Sequence, residues 1–143
     1  MRFQRFGDRY QLRIESGEEV ASTLRAFLVA NSVGFAQMTG LGAVSSASIA
    51  YLRAERREYE NHTLDEQMEV VSLIGNVALK DEEPFLHIHV TLARSDLSVV
   101  GGHFLEATVN PLLEIWLAPE DATVNRVFDE SCGLYLLDLP ERA

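Results

Sequence analysis

The feature that most constrains this chain is a predicted β-hairpin, residues 84–105, which contains three of the four histidines. Residues 85–93 are rich in β-branched and apolar side chains and follow a proline, which is typical of the start of a strand. Successive side chains of a strand point to opposite faces, so His87 and His89 share one face. The opposite face is an unbroken apolar row that should meet a core, formed by Leu86, Ile88, Val90 and Leu92.

The return strand of this hairpin carries the third histidine. If residues 95–97 form a three-residue loop, His89 lies directly opposite His103. Opposed residues of an antiparallel pair share a face, with Cβ atoms about 4.5–5.5 Å apart. The glycine pair at 101–102 indicates either a bulge or a close approach of two backbones. Since a bulge shifts the register by one residue, the convergence of the three histidines depends on its absence.

Three converging imidazoles are a suitable ligand set for a divalent metal ion, and zinc is the expected one, with Zn–N distances of about 2.0–2.1 Å. We therefore predict a metal site at His87, His89 and His103. Three neutral imidazoles leave a fourth position for water or substrate, as in catalytic zinc sites. Glu69 and Glu114 are candidates for a fourth ligand or an acid/base group, or are surface charges. The alternative for the histidines is a structural role.

Length and composition favour one globular domain over residues 1–143, because 47% of the residues are apolar and the chain is long enough to bury a core. No apolar run approaches the length of a membrane span. The first residues lack the apolar segment of a signal peptide. Cys132 is the single cysteine, which excludes an intrachain disulfide and fits the reducing cytoplasm. We therefore expect a cytoplasmic protein that does not enter a membrane.

The net charge of -10 argues against nucleic acid as a partner. Proteins that bind DNA neutralise its phosphates with a basic surface. Arginines do cluster at residues 2–13 and 53–57, but glutamates interleave with the second group. This pattern favours a solvated surface of mixed charge.

The sequence predicts one helix, with a recognisable start signal and end signal. Ser16 and Glu19 have the spacing of a capping box, with Ser16 as the N-cap. An apolar stripe at helical spacing follows within residues 20–28. Asn31 and Gly34 are typical of the end of a helix.

Short strands dominate the rest of the predicted structure. The polar segment 53–65 is expected to be an exposed loop or a ragged hairpin end, with His62 on the surface. Many strands and one early helix favour an α+β fold with a curled, largely antiparallel sheet and one main helix packed on it. The other predicted strands are residues 9–14, 35–38, 46–52, 69–77, 112–117, 124–128 and 134–139.

Four segments, taken in order along the chain, resemble the plant-and-prokaryote-conserved (PPC) domain. They are Thr-Gly-Leu-Gly-Ala-Val at 39–44, Glu-Val-Val-Ser-Leu-Ile-Gly-Asn at 69–76, His-Ile-His-Val at 87–90 and Gly-Gly-His at 101–103. The resemblance extends to Gly-Leu-Tyr-Leu-Leu at 133–137. It implies a compact antiparallel sheet with one helix, assembled as a homotrimer. The implied fold is similar to that of acetolactate decarboxylase, in which histidines hold a zinc ion.

Bacterial PPC proteins are often labelled as DNA-binding, and the resemblance carries this label with it. The label derives from plant members, which place an Arg-Gly-Arg-Pro AT-hook ahead of the domain. This sequence contains no Arg-Gly-Arg-Pro. The resemblance therefore implies the fold and the homotrimer for this chain, but it does not imply DNA binding.

Two functions remain open from the sequence. The first is a metal-centred site, catalytic or regulatory, that accepts a small-molecule ligand. The second is a trimeric module without enzymatic activity that binds a partner such as nucleic acid and regulates transcription. Either would use subunit contacts to bury excess apolar surface, which we expect beside His103 at Leu105, Ala107 and Val109.

Overall fold

The computed structural model describes residues 1–141. Within this range the chain forms one helix and nine strands, and no helix has the length and apolar composition needed to cross a membrane. In chain order the elements are β1 Arg2–Phe6, β2 Arg9–Glu15, α1 Val20–Ala30, β3 Ala36–Arg53, β4 Glu58–Leu64, β5 Met68–Lys80, β6 Glu83–Ala93, β7 Val99–Pro119, β8 Arg126–Asp129 and β9 Leu134–Leu137.

Seven strands form one sheet in the order β1-β2-β7-β6-β5-β3-β4, and each pairing in it is antiparallel. β3 also pairs with β7, so β3, β5, β6 and β7 close into a ring of hydrogen-bonded neighbours. β8 and β9 form a separate two-stranded hairpin. The predicted α+β fold, with a curled antiparallel sheet and one main helix, is therefore confirmed.

The helix covers the inner face of this curled sheet. α1 packs on β6 and β7 through the predicted apolar stripe, and the row opposite the histidines faces it. Ile88 and Leu92 are 0% and 1% exposed. The histidines on the same strand therefore point away from the helix. The buried residues of the helix are Val20, Ala21, Leu24, Phe27 and Leu28.

One strand is much longer than predicted. Residues 36–38 and 46–52, which were predicted as parts of two strands, belong to the single strand β3, because the bulge next to Gly42 does not end the strand. Gly42 has a φ of +152°, and a Cβ there would lie 2.3 Å from the carbonyl oxygen of Leu112. Residues 58–64 form β4, so segment 53–65 is an exposed hairpin end, the second of the two predicted alternatives. Residues 126–129 and 134–137 form the two strands predicted near the C-terminus.

A bulge in β7 changes the predicted role of the residues that follow His103. The register of β7 against β3 shifts at Leu105, and a shift of one residue moves every following side chain to the other face. Ala107 and Val109 are 4% and 0% exposed and belong to the core of the chain itself. Their assignment to a subunit contact beside His103 was wrong.

The helix begins later than the capping box predicts. Hydrogen bonds from Gly17 N to Val109 O (2.9 Å) and from Val109 N to Glu18 O (3.0 Å) hold the turn at residues 16–17 and Glu18 against β7, outside the helix. Glu19 is therefore the N-cap, and its carboxylate accepts hydrogen bonds from the backbone N–H groups of Ala21 (2.8 Å) and Ser22 (2.7 Å). The prediction of Ser16 as the N-cap was wrong. Asn31 ends the helix as predicted.

The two capping assignments make different predictions for stability. Glu19→Ala removes both acceptors at the helix start, so we expect it to lower the free energy of unfolding by about 0.5–2 kcal/mol. Ser16→Ala is the matched control and should change it by less than about 0.5 kcal/mol, because the hydroxyl of Ser16 reaches only the exposed side chain of Asn110. Urea denaturation of both variants measures the difference. A larger loss for Ser16→Ala would show that the capping box forms after all.

Candidate metal centre

The hairpin β6–β7 has the register that a three-residue loop predicts. His89 and His103 are paired residues of the two strands. The loop closes through hydrogen bonds from Arg94 N to Ser98 O and from Leu97 N to Arg94 O, both 2.9 Å. The predicted convergence of the three histidines on one face is therefore confirmed.

The glycine pair before His103 serves a close approach of backbones. No register shift occurs between β6 and β7. A Cβ at Gly101 would lie 2.7 Å from the carbonyl oxygen of Val90, and one at Gly102 would lie 2.6 Å from that of Ala50. These glycines allow β7 to fit between β6 and β3, so His103 reaches the same face as the histidines of β6.

The three imidazole rings surround a common point. Their centroids are 5.4 Å (His87 to His89), 5.5 Å (His87 to His103) and 5.6 Å (His89 to His103) apart. One ring nitrogen from each residue lies within 4.8 Å of the others. Tetrahedral coordination with Zn–N distances of 2.0–2.1 Å requires nitrogens about 3.4 Å apart.

The environment keeps two of these histidines neutral. Burial, together with repulsion from His87, His89 and Arg126, lowers the pKa of His103 to about 4. Burial also lowers the pKa of His87, with added repulsion from Arg126 and His89. Neutral imidazole is the form that binds a metal ion, so both side chains are ready ligands at pH 7.

One ring nitrogen of the cluster is buried and makes no hydrogen bond within the described chain. Nδ1 of His103 is buried, and no hydrogen-bond partner for it is found among residues 1–141. A buried polar atom without a partner costs free energy, and such atoms often mark a site where an ion or water binds. The ring also packs against Tyr59, with centroids 4.9 Å apart, which limits its rotation. The residues therefore fit a metal ion.

A groove beside the cluster leaves room for a ligand. It measures about 540 Å³, and His89 at its edge is exposed to solvent. The walls are mixed, with apolar side chains and two amides. The groove is lined by Phe35, Gln37, Ile74, Gly75, Asn76, His87, His89 and Leu137.

Neither glutamate candidate joins the histidines. Glu69 is paired with Ala93 on β6, four residues beyond His89 and thus about 13 Å along the strand. Glu114 is paired with Arg13 of β2. In the part of the chain that the structure describes, the metal-ligating group consists of the three histidines and contains no carboxylate.

The fourth histidine lies elsewhere, as predicted. His62 is on β4, 3.2 Å from the carboxylate of Glu60, and about half of its side chain is exposed. It is a surface residue and not part of the cluster.

The sequence analysis missed Arg126. This residue of β8 is only 9% exposed, and its guanidinium donates hydrogen bonds to Asn76 Oδ1 (2.8 Å) and Tyr135 O (2.9 Å). No sequence pattern marks it as a site residue, because it lies on a short strand that is far from the histidines in sequence. Only the packing of the β8–β9 hairpin against β5 brings it near them.

Comparison with solved structures identifies close matches over almost the entire chain. A metal-containing protein from Archaeoglobus fulgidus is 36% identical with a TM-score of 0.86, and the match covers 96% of this chain and 98% of that one. A PPC protein from Pyrococcus horikoshii is 33% identical with a TM-score of 0.87, covering 99% and 97%. A protein from Bacteroides thetaiotaomicron, provisionally assigned as DNA-binding, is 28% identical with a TM-score of 0.93, covering 96% of both chains.

A more distant likeness concerns the fold alone. Acetolactate decarboxylase from Bacillus subtilis is 9% identical with a TM-score of 0.54, and the match covers 81% of this chain but 54% of the enzyme. The predicted similarity to the acetolactate decarboxylase fold is thus confirmed.

Family membership follows from the sequence match. A search among curated proteins found no significant match. The family model of the Plants and Prokaryotes Conserved (PCC) domain, the domain abbreviated PPC above, matches residues 1–120. This match covers most of the chain, and it agrees with the similarity to the Pyrococcus PPC protein. The chain therefore belongs to the Plants and Prokaryotes Conserved domain family.

Proposed function

We propose that this protein is a cytoplasmic, trimeric metal-binding protein with a single PPC domain over residues 1–143. His87, His89 and His103 would hold one divalent ion, and zinc is the expected one. The observation that carries the proposal is the triangle of three imidazoles with ligand nitrogens within 4.8 Å of one another. The buried, unpartnered Nδ1 of His103 supports it, as does the description of the Archaeoglobus relative as metal-containing.

The chain contributes three imidazole ligands, and one side of the site is accessible at the exposed His89. A divalent ion held by three imidazoles with an open position acts as a Lewis acid and lowers the pKa of bound water. The exposed edge at His89 and the adjacent groove admit a small molecule to that position. This arrangement favours a catalytic or regulatory site over a closed structural one.

Assembly as a trimer is supported by apolar side chains on the face that carries the histidines. Ile74 is paired with His89 across β5 and β6, shares its face and is 59% exposed. Leu41 and Val71 lie at bulges near it and are 58% and 57% exposed. Clustered apolar residues on a small protein often mark a subunit contact. The resemblance to the PPC domain makes three the expected number of subunits.

The metal site is tested by removing one ligand. We expect the wild type to bind one zinc ion per chain and His103→Ala to bind zinc more than about 100-fold more weakly. Loss of a residue that only hydrogen-bonds to a metal ligand already lowers metal affinity by about 10–100-fold. The fold should persist, because the histidines lie opposite the core. Elemental analysis, zinc titration and circular dichroism measure these effects.

His62→Ala is the control for this experiment, because it removes an imidazole outside the cluster. It should leave zinc affinity unchanged. A wild type that stays metal-free in excess zinc, or an equal loss for both variants, would show that the clustered histidines are structural.

The subunit contact has its own test. Light scattering should give three times the 16.0 kDa mass of one chain. Ile74→Asp places a charge in the proposed contact and should reduce this mass, because an unpaired buried charge is costly. Val29→Asp is the matched control, since Val29 is 58% exposed on the helix. A monomeric wild type would refute the trimer.

DNA binding is the alternative function, favoured by the provisional assignment of the Bacteroides relative. With a net charge of -10, we expect the domain to bind a short A·T-rich duplex no more tightly than micromolar at physiological salt. Fluorescence anisotropy measures this affinity. Nanomolar binding that weakens steeply with added salt would support the alternative.

A further inference from the structure

The guanidinium of Arg126 lies on the same face of the sheet as the three histidines. It donates to the side chain of Asn76, which is paired with His87 and therefore shares its face. It also lies 5.1 Å from the ring centroid of Phe85, which precedes His87 by two residues on that face. Both contacts place the guanidinium next to the two residues that neighbour His87 on this face, Asn76 across the strands and Phe85 along β6.

This cation is buried without a negative partner. Arg126 is 9% exposed, and among residues 1–141 no carboxylate forms an ion pair with it. Its two hydrogen-bond acceptors, Asn76 Oδ1 and Tyr135 O, are neutral. Its Nε is also buried and has no hydrogen-bond partner in the described chain. A buried charge is costly unless it is paired, so the arrangement favours the arrival of an anion.

The position beside the histidines suggests where that anion would bind. Arginine holds carboxylate and phosphate groups through two parallel N–H···O bonds, and Nε of Arg126 has no hydrogen-bond partner in the described chain. The groove lined by Asn76, His87 and His89 lies beside this donor, since Asn76 accepts a hydrogen bond from it. An anion there would lie between two positive centres once the histidines hold a divalent ion.

We propose that Arg126 binds the carboxylate or phosphate group of a small anionic ligand that also contacts the metal ion at His87, His89 and His103. This inference rests on the proposed metal site and adds the chemical class of its ligand. Asn76 and Phe85 hold the guanidinium in place, and Tyr135 anchors it from the β8–β9 hairpin.

A structural role for Arg126 is the competing explanation, because the side chain also ties the β8–β9 hairpin to β5. The two roles differ in what they predict. A structural residue affects folding and every property of the site together. A ligand-binding residue affects anion affinity while metal affinity is retained.

The test uses protein loaded with cobalt(II), whose visible absorption reports changes at the metal. Acetate and inorganic phosphate are titrated separately as the two probes. We expect saturable spectral changes with at least one probe in the wild type and at least a tenfold weaker affinity in Arg126→Met, which loses hydrogen bonds to a charged group. Cobalt affinity itself should not fall, because the substitution removes a nearby positive charge. The tighter probe identifies the class of anion.

Arg13→Met is the matched control, because Arg13 is exposed on β2 and pairs with Glu15. It should bind both probes like the wild type. A wild type that takes up no cobalt would refute the metal site itself. A cobalt-loaded wild type that binds neither probe, or binds them as tightly as Arg126→Met does, would overturn the role of Arg126 alone.

A crystal structure of the cobalt-loaded wild type with acetate keeps the proposal testable if Arg126→Met fails to fold. We expect a carboxylate oxygen within hydrogen-bond distance of the guanidinium. A carboxylate bound to the metal but turned away from Arg126 would overturn the inference.

Discussion

The register of the β6–β7 hairpin is the constraint on which the rest of the structure depends. Ile88 and Leu92 are buried beneath the helix, and His87 and His89 lie on the opposite face. A slip of one residue would exchange these faces, burying imidazoles and exposing the apolar row. Because each buried aliphatic side chain contributes about 1.5–3 kcal/mol, the core itself holds the histidines in position. The packing of the apolar side chains on one side of the strand thus fixes the position of the histidines on the other side.

The charge around the site differs from that of the whole chain. The protein carries a net charge of -10, yet the described residues place no carboxylate in the histidine cluster and a buried guanidinium beside it. Ion pairs elsewhere, such as Arg53 with Glu60, are on the surface. A divalent ion would make this region more positive still. The negative net charge disfavours non-specific binding of polyanions, while a small anion can still enter the groove.

The relatives show how far a fold constrains function. The structures that are 28–36% identical match over nearly the whole chain. Acetolactate decarboxylase shares the fold at 9% identity, and a fold alone supports many unrelated functions. What this protein does is therefore decided by the side chains of its site, of which the three histidines and Arg126 are the most informative.

The sequence by itself determined the histidine face of the hairpin, its loop and its register, because strand alternation and loop length are local properties. It also determined the apolar stripe of the helix. Only the tertiary structure decided that the helix begins after Glu19, since hydrogen bonds to Val109 hold Gly17 and Glu18 against β7. It likewise decided that Ala107 is buried and that Arg126 lies beside His87. These features depend on a bulge and on contacts between distant segments, which leave no periodic signal in the sequence.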